Sequence, residues 1–247
     1  FGDFAVQLRQ RLAKSLTIGL GPVYQMYHID SSDEFNKVRN VFVNNAALGL
    51  DPATFTRRQA YFGGKFSLQL NTMDNEVLPS SGINWITTIR KLTGLRTPSY
   101  DNVTQINSDF AFYWNLIDDR LTFADRIGVG TTLGDGFEFF HAQYLGLEDN
   151  LRGYRKQRFA GKTKFYNQAE LRLRVANFNT YLFPGALGLL GFVDAGRVWV
   201  EDDTDREFAM GYGVGFWFAP LRRINITFTW AMSEEGGMPL VGLGFKF

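Results

Sequence analysis

A period-two alternation of apolar against polar or small residues runs through this chain and constrains its fold more than any other feature. Between Phe208 and Phe218, one parity holds Phe208, Met210, Tyr212, Val214, Phe216 and Phe218, and the other holds Ala209, Gly211, Gly213, Gly215 and Trp217. Ile224, Ile226, Phe228 and Trp230 oppose Asn225, Thr227 and Thr229, and Ala169, Leu171, Leu173 and Val175 oppose Gln168, Glu170, Arg172 and Arg174. Segments 16–26 and 60–70 repeat the pattern. Successive strand residues point to opposite faces, so each segment reads as a strand with two unlike faces.

Two architectures accept such strands. A soluble sandwich buries the apolar face and wets the other. A membrane barrel turns the apolar face to lipid and the polar face to a lumen. Length separates them: soluble strands mostly run ~5–6 residues, whereas these approach the ~9–11 that a tilted strand needs to cross a bilayer. The 24 phenylalanines would demand very large sandwich cores. Trp85, Trp114, Trp199, Trp230 and Phe247 fall at segment ends, as interfacial aromatic girdles do. An Arg or Lys facing lipid at mid-bilayer costs ~2–4 kcal/mol. Glu170, Arg172, Arg174 and Asp194 therefore belong in the lumen, where parity puts them.

The expected fold is all-β: a transmembrane antiparallel up-and-down barrel, with 1–247 as one domain and no linker. Eleven strands are expected, near 2–12, 15–27, 59–71, 83–92, 103–114, 120–131, 164–178, 187–200, 208–219, 223–232 and 238–247. Short turns (12–15, 116–120, 178–185, 220–223, with 71–82 grouped among them) alternate with longer segments at 28–58, 93–102, 132–163, 201–207 and 233–237. Bacterial barrels usually have even strand numbers. Either residues 36–50 hide a further element, giving about twelve, or strands are missing at the N-terminus.

Composition excludes several functions. Twenty-six basic residues against 25 acidic ones leave a net charge of +1, which argues against a nucleic-acid partner. With no cysteine, disulfides and thiolate metal sites are ruled out. The two histidines, His28 and His141, read as loop or interface residues rather than ligands. No Ser–His–Asp setting or phosphate loop is present, and the acidic "EDDTDRE" (201–207) and "SEEGG" (233–237) read as solvated hairpin loops. No cofactor, metal or catalytic residue is expected in this chain. The stretch "LRGYRKQRFAGKT" (151–163) carries three arginines and two lysines, and its role stays open on composition alone.

Several motifs coincide in order. "QYLGLEDNLRGYR" (143–155), "GFVDAGRVW" (191–199), "LNTMDNEVLPSSGINW" (70–85) and "GVGFWFAPLRRINITF" (213–228) resemble segments of the outer-membrane assembly-factor superfamily, often called bacterial surface antigens. That group includes the BamA and TamA insertases, organellar relatives and two-partner secretion transporters. The resemblance implies that Arg152, with Gly153 and Tyr154, belongs to a loop folded into the lumen, where the arginine pairs with Glu170 and Asp194. It implies a C-terminal assembly signal in Gly242, Phe245 and Phe247, with Leu240 where the family has a polar residue. Five strands follow the motif, as in the family's sixteen-strand barrels, and six precede it where the family has eleven.

The implied location is the bacterial outer membrane. The implied partners are its lipids, unfolded outer-membrane protein clients and the barrel assembly machinery that inserts the chain itself. Three functions follow: an insertase or translocase working through a weak seam; an anchor for a larger protein with an upstream periplasmic phospholipase or metallophosphoesterase; or a passive pore.

Overall fold

The computed structural model describes residues 2–28, 58–96, 102–118, 120–134, 138–147, 150–179, 184–200, 207–221, 223–245 and 247. The strands are β1 (Gly2–Ala5), β2 (Leu8–Arg11), β3 (Leu16–Tyr27), β4 (Gln59–Asn71), β5 (Gly82–Arg96), β6 (Asn102–Ile117) and β7 (Leu121–Leu133). They continue as β8 (Gln143–Leu145), β9 (Phe159–Gly161), β10 (Thr163–Asn179), β11 (Pro184–Trp199), β12 (Ala209–Pro220), β13 (Ile226–Ser233) and β14 (Gly236–Leu243). All but β8 and β9 form one antiparallel sheet in up-and-down order, and those two pair with each other inside the loop between β7 and β10. The eleven expected crossings are all there, the first interrupted at Val6–Gln7 so that β1 and β2 both pair with β3.

Several boundaries differ from expectation: β5 runs on to Arg96 and β6 to Ile117, β11 begins already at Pro184 and β13 only at Ile226. Residues 233–237 form a tight hairpin rather than a longer loop, with Ser233 opposite Gly236 and Gly236 at φ +114°. The last strand ends at Leu243 rather than 247, because Gly244 at φ +87° turns the chain off the wall. Phe247 consequently packs inward, against Ala111, Tyr113 and Ala124, and takes no part in an outer girdle. Residues 36–50, considered for a further element, and most of the acidic 201–207 segment lie outside the described residues.

Parity governs the faces as the alternation requires. Phe208, Met210, Tyr212, Val214, Phe216 and Phe218 are exposed on the outer face, while Gly211, Gly213, Trp217 and Ala219 are buried within. Leu171, Leu173 and Val175 point outward; Gln168, Glu170 and Arg172 are buried inside. Trp85, Trp114 and Trp230 lie exposed on the outer surface.

The lumen is packed from both rims. At the short-turn rim, residues 72–81 fold inward. The Asp74 carboxylate accepts Ser80 N (2.9 Å), Ser80 Oγ (2.6 Å) and Ser81 N (3.1 Å), and Asn75 Oδ1 accepts Val77 N (2.8 Å) and Leu78 N (3.0 Å). Such side-chain caps replace the ladder bonds a turn cannot make. They aim Leu78 at a core of Ala186, Leu190, Phe192, Trp217, Ala219 and Ala231, which Phe245 also joins. The loop between β7 and β10 fills the other end. The sheet begins at β1/β2 and ends at β14, and no ladder joins those ends among the described residues.

Candidate loop latch in the lumen

β10 and β11 pair with Gln168 opposite Asp194 and Glu170 opposite Phe192, which makes Glu170 and Asp194 diagonal neighbours on the inner face. Arg152 descends between them. Its guanidinium lies 3.6 Å from the Phe192 ring centroid, and its fork is divided between the two acids. Asp194 accepts Arg152 N (2.9 Å), Nε (2.7 Å) and Nη2 (2.5 Å), and Glu170 Oε1 accepts Nη1. Arg172 takes the other oxygen of Glu170, with Nε at 2.8 Å and Nη2 at 2.7 Å from Oε2. Relative exposures of Arg152, Glu170, Arg172 and Asp194 are 3, 2, 3 and 0%. Two cations and two anions thus form a buried, electroneutral quartet. Desolvation is tolerable here only because each charge is hydrogen-bonded to its opposite.

Glycines let the loop backbone reach the wall. A Cβ at Gly211 would overlap the main-chain carbonyl oxygen of Arg152. Gly153 adopts φ +91°, and a Cβ there would stand 2.8 Å from the Met232 carbonyl oxygen. The Gly153 carbonyl accepts Ser233 Oγ at 2.6 Å. Tyr154 donates from its hydroxyl to Met210 O (3.2 Å), meets Phe159 edge-on at 5.2 Å, and packs with Leu145, Leu151 and Tyr166. Farther out, Arg158 pairs with Glu235 at the rim.

A second attachment holds the same loop to the opposite wall. Gln59 Nε2 donates to Glu138 Oε1 (3.0 Å), and Tyr61 donates to Gln59 Oε1 (2.9 Å). The His141 carbonyl accepts Gln105 Nε2 and Thr132 Oγ1, both at 2.8 Å. His141 Nε2 meets Gln25 Oε1 at 2.9 Å, and its ring stands edge-on to Tyr61 at 4.9 Å. Burial, reinforced by the nearby Arg90 charge, pushes the His141 imidazole down to about 3, so it is neutral.

The residues expected at the C-terminal end sit together at the short-turn rim. Gly242 lies on β14 opposite Thr227. Phe245 meets Trp217 edge-on at 5.7 Å, Arg172 lies 3.9 Å from the Phe245 ring, and Arg172 Nη2 donates to Phe247 O at 3.1 Å. Sequence reasoning placed Arg172 in the lumen but assigned it no contact, and missed Phe192, Gly211, Ser233 and the whole second attachment. The small-residue parity of β12 was the signal for Gly211. The arrangement binds and positions a loop. Glu170 and Asp194 are engaged by arginines and Glu138 by Gln59, and among the described residues the His141 ring meets the Gln25 amide and aromatic rings.

Long lipid-facing strands, a packed lumen and an arginine-latched loop define a plugged transmembrane β-barrel. The chain matches the Omp85 superfamily domain over residues 2–247, and it belongs to that superfamily of outer-membrane assembly and secretion proteins. Its fold is similar to BamA from Haemophilus ducreyi, in a crystal structure lacking POTRA domains 1–3, with a TM-score of 0.67 at 16% identity. That likeness covers 98% of this chain and 53% of the BamA chain, so the chain spans about half the length of its solved neighbour. No match was found among curated protein sequences. Family membership places the barrel in the bacterial outer membrane.

Proposed function

We propose that this barrel inserts or translocates proteins at the outer membrane through a weak seam between β14 and the β1/β2 edge. One observation carries the reading: among the described residues β14 is hydrogen-bonded only to β13, and it is 8 residues long, against 16 for β11. An unpaired edge presents main-chain donors and acceptors that a client strand can take up by β-augmentation. Gly236, Gly237 and Gly242 make that edge conformationally loose. Arg152, Gly153, Tyr154, Glu170 and Asp194 act as a latch that holds the loop in the lumen. Gly242, Phe245 and Phe247 serve as the signal read by the assembly machinery that inserts the barrel itself.

The barrel chain holds no cysteine of its own to compete with introduced ones. Leu8→Cys and Val241→Cys, both on exposed outer positions, are bridged with a bismaleimide in the full-length protein reconstituted in liposomes. Insertion of a urea-denatured outer-membrane barrel is then followed by protease protection. Bridging is expected to reduce insertion at least tenfold, and undiminished insertion by the bridged form would overturn the seam. If the unbridged protein inserts nothing, the anchor reading, with its chemistry upstream, takes over. The packed lumen opposes the passive-pore reading, for which planar-bilayer recordings would show a large steady conductance.

A further inference from the structure

Glu170 is shared between two arginines that serve different parts of the chain. Its Oε1 takes Arg152 of the loop, and its Oε2 takes Arg172. Arg172 in turn holds the segment after β14, donating from Nη2 to Phe247 O at 3.1 Å while lying 3.9 Å from the Phe245 ring and 5.2 Å from the Phe247 ring. A continuous line of charge and ring contacts therefore runs from the loop, through one carboxylate, to the residues that leave the seam strand. Among the described residues, Arg172 Nη1 is buried without a hydrogen-bond partner.

We infer that Arg172 is a positioning residue that couples the loop latch to the seating of Phe245 and Phe247, with Glu170 as the switch between them. The direction follows from hydrogen-bond geometry. While Arg152 occupies Oε1, Arg172 has only Oε2, and its Nη2 is shared with the Phe247 carbonyl. When the loop withdraws, Oε1 is vacated. Arg172 then takes both oxygens as a bidentate fork, the stronger arrangement for a guanidinium and a carboxylate. Its idle Nη1 is available for that rotation, which draws Nη2 off Phe247 O. Phe245 and Phe247 lose the cation over their rings and are freed from the lumen to lengthen β14. Loop release thus promotes release of the end of the seam strand. By reciprocity, displacement of Phe245 and Phe247 by a partner loosens the loop. The inference rests on the proposed seam only for its purpose; the coupling itself is a property of the barrel without client.

The test places a single reporter, Phe247→Cys, in the full-length protein in liposomes and measures its modification rate by a polar maleimide, with no client present. Folding of each variant is verified by heat-modifiable gel mobility. Arg152→Ala and Arg172→Ala are each expected to raise the rate about tenfold, within the 5–150-fold that site-to-site coupling commonly spans. The double variant should be no faster than Arg172→Ala alone, a non-additivity that general loosening would not produce. Lys14→Ala, in the exposed turn between β2 and β3, should leave the rate unchanged. If Arg152→Ala fails to fold, Arg152→Lys, which keeps the charge but loses the fork, is used in its place. An unchanged rate in the Arg152 variant, or additive effects in the double variant, would overturn the coupling. Client insertion is scored separately, so a failed seam and a failed coupling give different results.

Discussion

Removing the latch arginine should expose how much stability the buried quartet carries. Arg152→Ala leaves Asp194, fully buried, with no cation and strips one oxygen of Glu170, while Arg172 still holds the other. Breaking a buried ion pair from one side typically costs ~3–5 kcal/mol, mainly because an uncompensated charge stays in a dry site. The lost stacking on Phe192, 3.6 Å away, adds on the order of 1 kcal/mol. The sum lies at the upper end of that range unless the loop leaves and water enters, in which case the cost is traded for loop exposure. Both outcomes are measurable. Urea unfolding in liposomes reads the stability, and trypsin cleavage at Arg155, Lys156 or Arg158 reads the loop. A second substitution isolates the cause: Arg152→Met with Asp194→Asn removes the stranded charge and should recover about half the loss. A single-variant change below ~0.5 kcal/mol with no gain in cleavage would refute the buried-charge reasoning.

Other perturbations act on separate links. Gly211→Ala puts a Cβ into the Arg152 carbonyl oxygen, so the loop should be displaced and trypsin cleavage should rise without any charge being changed. Neutral His141 makes the second attachment acid-sensitive: its folded value, about 3, lies below the ordinary 6.5, so its contribution is complete above pH 6.5 and is lost as pH falls. The loss should reach about 2 kcal/mol at pH 5 and about 4 kcal/mol at pH 3. Hydrogen exchange of residues 138–145 should follow that curve and flatten in His141→Gln; a pH-independent exchange profile refutes it. Phe216→Arg on the lipid face of β12 should cost ~2–4 kcal/mol in bilayer unfolding, whereas a soluble sandwich would tolerate it at an exposed position.

Strand number and facing were legible because both depend on a local rule, the two-residue period, which lipid enforces along every crossing. The sites of error were those where packing overrode it. Phe245 and Phe247 continue an apolar rhythm, yet Gly244 turns the chain inward there, because Trp217, Tyr113 and Arg172 offer the two rings a better surface than lipid does. The hairpin at 233–237 looked long because "SEEGG" is polar; Gly236 at φ +114° permits a tight turn. The contacts of Arg152 were foreseen from motif order, not from physics, since parity alone places Glu170 and Asp194 inside without saying which arginine meets them. The second attachment was invisible for the same reason: Gln25, Gln59 and His141 are far apart in sequence, and amide–imidazole contacts leave no periodic trace.

The two attachments of the loop together bear on how an unsealed sheet stays curved. An antiparallel sheet with free ends has no hydrogen-bonded ladder to hold its edges in register, and each such bond contributes only ~0.5–1.5 kcal/mol net. Here one loop is fixed to β3, β4 and β6 by Gln25, Gln59 and Gln105 and to β10–β13 by Glu170, Asp194, Met210 and Ser233. The contents of the lumen therefore tie the two halves of the wall to each other across the interior, and Phe247 adds a crossing from β14 to Tyr113 on β6. With curvature held from inside, the edge ladder is relieved of that task, and the proposed seam would open without the wall unrolling. If the proposed latch and seam are one device, weakening the interior should make the edge less stable, and a permanently sealed edge should make Arg152 dispensable for folding.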